Sequence, residues 1–129
     1  MNNKALAIGF LAITIFVLGA AGCAKPATFD AEQKVALAKH LTDSGVKLYG
    51  AFWCGHCEDQ KKLFGEEVFQ YINYIECSTP DGTAQTEICI ADNVTSYPTW
   101  EFADGVRISD VLSLKELAER SGFETEAIE

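Results

Sequence analysis

The stretch that decides the fold is Val46–Cys57, VKLYGAFWCGHC, in which a short apolar run leads into two cysteines separated by two residues. The run from Val46 to Phe52 is apolar and aromatic, which is typical of a buried β-strand. From Cys54 to about Tyr71, apolar residues recur every three to four positions, as in a helix. Gly65 marks an expected kink. The sequence therefore predicts a strand, a turn and a helix, with both cysteines at the start of the helix.

The sequence Cys54-Gly55-His56-Cys57 at a helix start favours thiol chemistry. Free backbone N–H groups and the helix dipole stabilise the thiolate form of Cys54, and His56 adds a neighbour that can become cationic. Cys57 lies one turn further along, where it can attack a mixed disulfide between Cys54 and a substrate. We therefore predict a dithiol–disulfide exchange centre without a bound cofactor, tuned by Trp53, Gly55 and His56.

Two other interpretations of this cysteine pair have less support. A C-x-x-C motif forms half of many zinc sites, but Cys77 and Cys89 have eleven residues between them, not the two to four typical of a second half. A purely structural Cys54–Cys57 disulfide would close too small a loop to stabilise the fold much. We therefore expect no metal, and a metal-binding module using Cys54, Cys57 and His56 is kept as an alternative.

Alternating helix and strand patterns around this unit place the chain in the α/β class. Two capping boxes are predicted to open the first and last helices, at Asp30 with Gln33 and at Ser113 with Glu116. His40 in the first helix is predicted to be solvated. Local patterns further predict a strand at 74–77, a short helix at 84–93 and a hairpin at 99–108 that turns at Asp104-Gly105.

Near the start of the chain, Lys4 is followed by 18 uncharged residues, Ala5–Gly22. A basic residue, an apolar core and small residues before a cysteine are typical of a secretory signal. Residues 20–23, AAGC, resemble a bacterial lipobox in which Cys23 is lipid-modified, although Ala20 stands where Leu is usual. An uncleaved membrane anchor is the alternative, since 18 residues are near the minimum for a span. Either way we expect a membrane-tethered, extracytoplasmic protein in the periplasm or cell envelope.

Length and charge limit the remaining possibilities. The chain has 129 residues, which allows one domain of ordinary size. Its net charge of −9 argues against nucleic-acid binding, which needs a basic face. We expect a signal peptide or anchor at 1–22, a tether at 23–28, a folded domain at 29–123 and a flexible tail at 124–129.

Cys77 and Cys89 allow two interpretations. They can form a structural disulfide across the turn at 80–82, which would stabilise the domain by roughly 3 kcal/mol in the chain-entropy model and suits an oxidising compartment. They can also form a second redox pair that exchanges with Cys54 and Cys57.

The element order, the sequence from Trp53 to Cys57 and the sequence Tyr97-Pro98-Thr99 resemble the thioredoxin superfamily. The resemblance implies a thioredoxin-like fold, with a central mixed sheet flanked by helices and here no clear first strand. It also implies a cis peptide bond before Pro98, beside the cysteines, and a substrate groove shaped by Tyr97 and Pro98. The sequence CGHC itself is similar to the active site of protein disulfide isomerases.

Further stretches resemble the thioredoxin-like domain associated with bacterial homologues of vitamin K epoxide reductase. They lie at 49–54, 59–65, 74–77, 96–100 and 113–117. This resemblance implies a quinone-linked membrane oxidase that recycles the C-x-x-C, which in turn oxidises cysteine-containing exported proteins. We expect that oxidase to be a separate protein, because the chain lacks a multi-helix membrane domain.

At two positions this chain differs from the residues that these families usually have. Thioredoxins usually bury an acid six residues before the first cysteine, where this chain has Leu48, so we expect no fast general-base help to Cys57. Gly55 stands where some relatives have proline, which leaves the redox poise open. The alternative direction of electron flow is a membrane-tethered thiol reductase, for example in cytochrome c maturation.

Overall fold

The computed structural model describes residues 28–124. The expected signal or anchor segment at 1–22, the lipidation candidate Cys23 and nearly all of the expected tether and tail lie outside the described residues. Within 28–124, no helix is both long and apolar enough to span a membrane. The domain boundaries therefore stay a prediction.

Helices and strands alternate along the described chain, and the predicted α/β class is confirmed. The helices are α1 (Ala31–Asp43), α2 (Gly55–Phe64), α3 (Glu66–Phe69), α4 (Glu87–Ala91) and α5 (Leu114–Ser121). The strands are β1 (Lys47–Gly50), β2 (Tyr74–Glu76), β3 (Thr99–Glu101) and β4 (Arg107–Ile108).

The strands form one mixed sheet in the order β2-β1-β3-β4. Strand β1 pairs parallel with β2, placing Leu48 opposite Tyr74 and Gly50 opposite Glu76. It pairs antiparallel with β3, which pairs antiparallel with β4. No strand precedes α1 within residues 28–124. A mixed sheet with helices around it is compatible with a thioredoxin-like fold.

The core divides between the two faces of the sheet, because successive side chains of a strand point to opposite faces. Leu48 and Trp100 pack with buried residues of α1, α2, α3 and α5 in the larger cluster. Tyr49 packs on the other face with Cys77, Cys89 and Val94. Strand β1 lies in the middle of this core, and the turn that leads to Cys54 follows its C-terminal end.

Local sequence signals set the helix ends. Both predicted capping boxes form, at the N-termini of α1 and α5. Gly65 has φ +94°, a value that favours glycine, and it separates α2 from α3 where a kink was expected.

The predicted short helix and hairpin are smaller in the structure. Helix α4 covers only 87–91, and residues 102–106 connect β3 to β4.

The prediction for His40 was wrong. Its side chain is half-buried, with Nε2 2.9 Å from the carbonyl oxygen of Ser121. Its ring also packs against Phe123, with centroids 5.3 Å apart. The helical pattern of α1 gave no indication that the end of α5 covers this position.

Candidate active site

The turn between β1 and α2 positions Cys54. The N–H of Cys54 donates to the carbonyl of Ala51 at 3.0 Å, which closes the turn after the strand. Cys54 then serves as the N-cap of α2, where its Sγ accepts the N–H of Cys57 at 3.3 Å. The sulfur therefore occupies the place of a capping oxygen, at the positive end of the helix dipole.

Cys57 lies one helical turn deeper than Cys54. Both are free thiols in the structure, with 8% of Cys54 and 5% of Cys57 exposed. Burial raises the pKa of the Cys57 thiol to about 12, and the hydrogen bond and charge of Cys54 act in the same direction. At neutral pH, Cys57 therefore holds its proton.

The loop before β3 covers the cysteines from the other side. The Tyr97–Pro98 peptide bond is cis, and Pro98 is buried. The Tyr97 carbonyl lies 3.7 Å from the Sγ of Cys54, which donates to it. Tyr97 also packs against the small buried cluster of Ala51, Cys54 and Cys57. The structure thus brings together the two motifs that the sequence analysis singled out.

Trp53 and Phe52 form an exposed apolar rim beside the cysteines. They are 57% and 53% exposed, respectively. The indole N–H of Trp53 donates to Ser78 Oγ at 2.9 Å, and its ring meets Tyr97 edge-on at 5.9 Å. A cleft of about 180 Å³ opens next to Trp53 and Tyr97, and Gln85 is among its lining residues. Trp53 therefore flanks the site and does not close it.

His56 and Gly55 lie on the solvent side of α2. The Nδ1 atom of His56 is 3.9 Å from a carboxylate oxygen of Asp59, and the imidazole is largely exposed. A Cβ at Gly55 would meet no atom within 4 Å. The tuning of Cys54 by His56 and Gly55 stays a prediction.

Cys77 and Cys89 are joined by a disulfide, with Cα atoms 5.5 Å apart. The bond ties the residue after β2 to α4, and both cysteines are fully buried. Their sulfurs are therefore not available to complete a four-cysteine metal site with Cys54 and Cys57. Among the residues that the structure describes, no group of three or more His, Cys, Asp or Glu side chains is placed so that it could hold a metal ion.

Two residues that the sequence analysis did not select lie under the active-site turn. Tyr74 and Glu76 come from β2, on the same face of the sheet as Gly50. The hydroxyl of Tyr74 donates to Glu76 at 3.1 Å. In the sequence, Glu76 appears only as an acid at the end of a short apolar strand. The position of Glu76 relative to Cys57 depends on how β2 pairs with β1.

The chain is similar to a plant protein. It is 46% identical over 93 residues to a protein named thiol-disulfide oxidoreductase LTO1 from Arabidopsis thaliana. The match covers 69% of this chain and 24% of the relative. This similarity supports a thioredoxin-like redox protein. The relative's name also supports an oxidoreductase of the thiol–disulfide kind.

The comparisons support this class of oxidoreductase and nothing more specific. The chain spans only 24% of the relative's length, so the similarity concerns a part of that protein. No protein-family model matches the chain. The particular resemblance to domains associated with vitamin K epoxide reductase homologues stays a prediction.

Proposed function

We propose that this protein is an exported thiol–disulfide oxidoreductase that exchanges disulfides with cysteine-containing exported proteins through Cys54 and Cys57. The observation that carries the proposal is the position of Cys54. It caps α2, lies beside the carbonyl of Tyr97 and has the second thiol, Cys57, one turn deeper. The similarity to a named thiol–disulfide oxidoreductase supports the same class.

In the oxidising direction, a substrate thiolate attacks Cys54 Sγ of a Cys54–Cys57 disulfide. The disulfide breaks, and Cys57 leaves with the electron pair and takes up a proton. A second substrate thiolate then attacks its partner sulfur in the mixed disulfide and releases Cys54 as a thiolate. The substrate has lost two electrons and the cysteine pair has gained them. The helix N-terminus stabilises Cys54 as the leaving thiolate.

The exposed rim of Phe52 and Trp53 suits unfolded clients, which present apolar side chains. With Tyr97 and Pro98 it forms the proposed substrate groove. We propose that a quinone-linked membrane oxidase of the vitamin K epoxide reductase type reoxidises the pair. The apolar segment at 5–22 and the lipobox-like AAGC support export and attachment to a membrane.

Substitution of each active-site cysteine tests the proposal. The oxidised protein should form disulfides in a reduced, unfolded client such as ribonuclease, and Cys54→Ser should abolish this activity. Cys57→Ser, mixed instead with a client that already carries disulfides, should accumulate a mixed disulfide between Cys54 and the client, because Cys54 attacks a client disulfide and no second thiol resolves the product; mass spectrometry identifies it. Activity that survives Cys54→Ser would refute the proposal.

The reduction potential decides the direction of electron flow. A value of about −120 to −200 mV fits an oxidant or isomerase, and a value of about −270 mV fits a reductase. Tight metal binding by a fully reduced protein that exchanges no disulfides would favour the metal-binding alternative.

A further inference from the structure

Tyr74 and Glu76 are not used in the exchange described above, although they lie beneath its deeper cysteine. Strand β2 pairs parallel with β1, so that Tyr74 stands opposite Leu48 and Glu76 opposite Gly50. Residues paired in this way present their side chains on the same face of the sheet. Both side chains of β2 therefore lie on the face where Gly50 meets α2.

The phenol of Tyr74 and the thiol of Cys57 border the same space beside Gly50. A Cβ at Gly50 would lie 2.9 Å from the Tyr74 hydroxyl oxygen and 3.1 Å from Cys57 Sγ. Since both atoms lie near the same point, the Tyr74 hydroxyl oxygen and Cys57 Sγ are at most about 6 Å apart. The hydroxyl itself donates to Glu76 Oε2 at 3.1 Å. The phenol thus shares this space with the thiol and is hydrogen-bonded to the carboxylate.

The backbone holds the carboxylate of Glu76 in place. Its Oε1 accepts the N–H of Ser78 at 2.9 Å and the N–H of Phe52, in the active-site turn, at 3.2 Å. Its Oε2 faces Tyr74. One oxygen thus anchors the turn, and the other is available to take a proton.

Burial raises the pKa of Cys57 to about 12, so the resolving thiol does not ionise unaided at neutral pH. The ionisable groups around it are Cys54, at the N-cap of the same helix, and Tyr74 and Glu76 from β2. The charge of Glu76 raises the pKa of Cys57 further. On its own helix, Glu58 is paired with Lys61 at 3.3 Å. A buried thiol of this kind needs an acceptor inside the protein.

We propose that Glu76 accepts the proton of Cys57, through the hydroxyl of Tyr74, when Cys57 resolves a mixed disulfide. This inference rests on the proposed function. It assigns to β2 the acid that thioredoxins carry at the position of Leu48, on β1.

In the resolving direction, Cys57 is the attacking sulfur. The Cys57 proton passes to the Tyr74 oxygen as the Tyr74 proton passes to Glu76. The electron pair left on Cys57 forms the bond to Cys54 Sγ, and the bond between Cys54 and the substrate sulfur breaks. The substrate departs as a thiolate, and Glu76 later releases its proton to solvent. In the opposite direction, Cys57 leaves as a thiolate and recovers the proton by the same route.

Stopped-flow reaction of the reduced full chain with dithiobis-nitrobenzoate separates the two cysteines when Cys23→Ser is present in the wild-type background and in every variant, so that Cys23 contributes no signal. Attack by Cys54 releases one coloured thiolate, and attack by Cys57 on the mixed disulfide releases a second. Glu76→Gln is the informative variant because its amide oxygen can still accept the N–H groups of Phe52 and Ser78. We expect the second phase to slow by about 100-fold at neutral pH, the lower end of what a positioned base supplies.

The sign of the change distinguishes a proton acceptor from a structural or purely electrostatic role. Removal of a nearby negative charge would by itself lower the pKa of Cys57 and make the second phase faster. A second phase that is faster or unchanged in Glu76→Gln overturns the proposal. Slowing that disappears as pH rises, where hydroxide replaces the base, supports it. Slowing that persists at all pH values would indicate a structural role and overturn it.

Tyr74→Phe tests the route without altering the anchor of the turn. It should also slow the second phase, and an unchanged rate would overturn the role of Tyr74. Glu87→Gln, at an exposed residue in the first turn of α4, is the matched control and should react like the wild type. A wild-type chain without a second phase would refute the proposed function itself, whereas two normal phases in every variant would refute only this inference.

Discussion

At the scale of single residues, the two thiols differ in their surroundings. Cys54 caps a helix and lies beside the exposed rim, whereas Cys57 is enclosed between α2 and β2. This asymmetry supports the proposed roles, with Cys54 as the attacking or attacked sulfur and Cys57 as the resolving one. It also makes the reduced protein sensitive to alkaline pH.

The free energy of unfolding of the reduced protein should fall as pH rises from about 9 towards about 12. Burial raises the pKa of Cys57 from 9.0 to about 12, so the folded state keeps a proton that the unfolded state has lost. The stabilisation is complete below the unfolded pKa and is lost as pH passes the folded value. Urea denaturation of the reduced chain and of Cys57→Ala at several pH values measures the difference. If the free energies of unfolding of the two proteins changed with pH in the same way, the expectation would be contradicted.

Gly50→Ala should destabilise the protein by about 1–3 kcal/mol, the usual cost of overpacking. The new Cβ would lie 2.7 Å from Tyr74 Cε2, which is too close, so the ring must shift. Gly55→Ala is the matched control, since its Cβ meets nothing within 4 Å in a helix that favours alanine. Thermal denaturation compares the two variants. Equal stability would show that the space above Gly50 is not filled.

At the scale of elements, one buried amide connects α2 with the sheet and the chain before α5. Gln60 is fully buried, and its Oε1 accepts the indole N–H of Trp100 at 3.1 Å and the N–H of Leu112 at 2.8 Å. Its Nε2 donates to the carbonyl of Leu112 at 2.9 Å. These bonds fix the helix that carries Cys57 against β3.

Gln60→Leu should lower the free energy of unfolding by several kcal/mol, since each buried polar group left unpaired costs about 1–3 kcal/mol. Chemical denaturation of the full chain measures the loss. Gln70→Leu, at an exposed residue after α3, is the control and should change stability by less than about 0.5 kcal/mol. Similar losses in both variants would contradict the role of Gln60.

The ends and breaks of helices could be predicted from the sequence where the residues that determine them lie close together in the chain. The capping boxes at Asp30 and Ser113 and the break at Gly65 depend on residues close together in the chain, and the structure has all three. The place of Glu76 beneath Cys57 depends on the parallel register of β2, which no local pattern specifies. The buried role of Gln60 depends likewise on distant partners, and a glutamine on a helix gives no indication of it.

At the scale of the whole molecule, the proposed export depends on the segment before the folded domain. If Cys23 is lipid-modified, the chain expressed in a bacterium should incorporate labelled fatty acid and sediment with membranes. Cys23→Ser should abolish labelling. Membrane association that persists without label in the wild type would favour the uncleaved anchor. A chain recovered entirely from the cytoplasm would contradict export.

The measurement that tests the central claim most directly is equilibration of the full chain in glutathione buffers of graded potential, followed by acid trapping and mass spectrometry. We predict that Cys54 and Cys57 interconvert between dithiol and disulfide as a two-electron couple between about −120 and −270 mV. Cys77–Cys89 should stay oxidised throughout. A Cys54–Cys57 pair that never forms a disulfide in these buffers, or that changes state only together with Cys77–Cys89, would contradict the account.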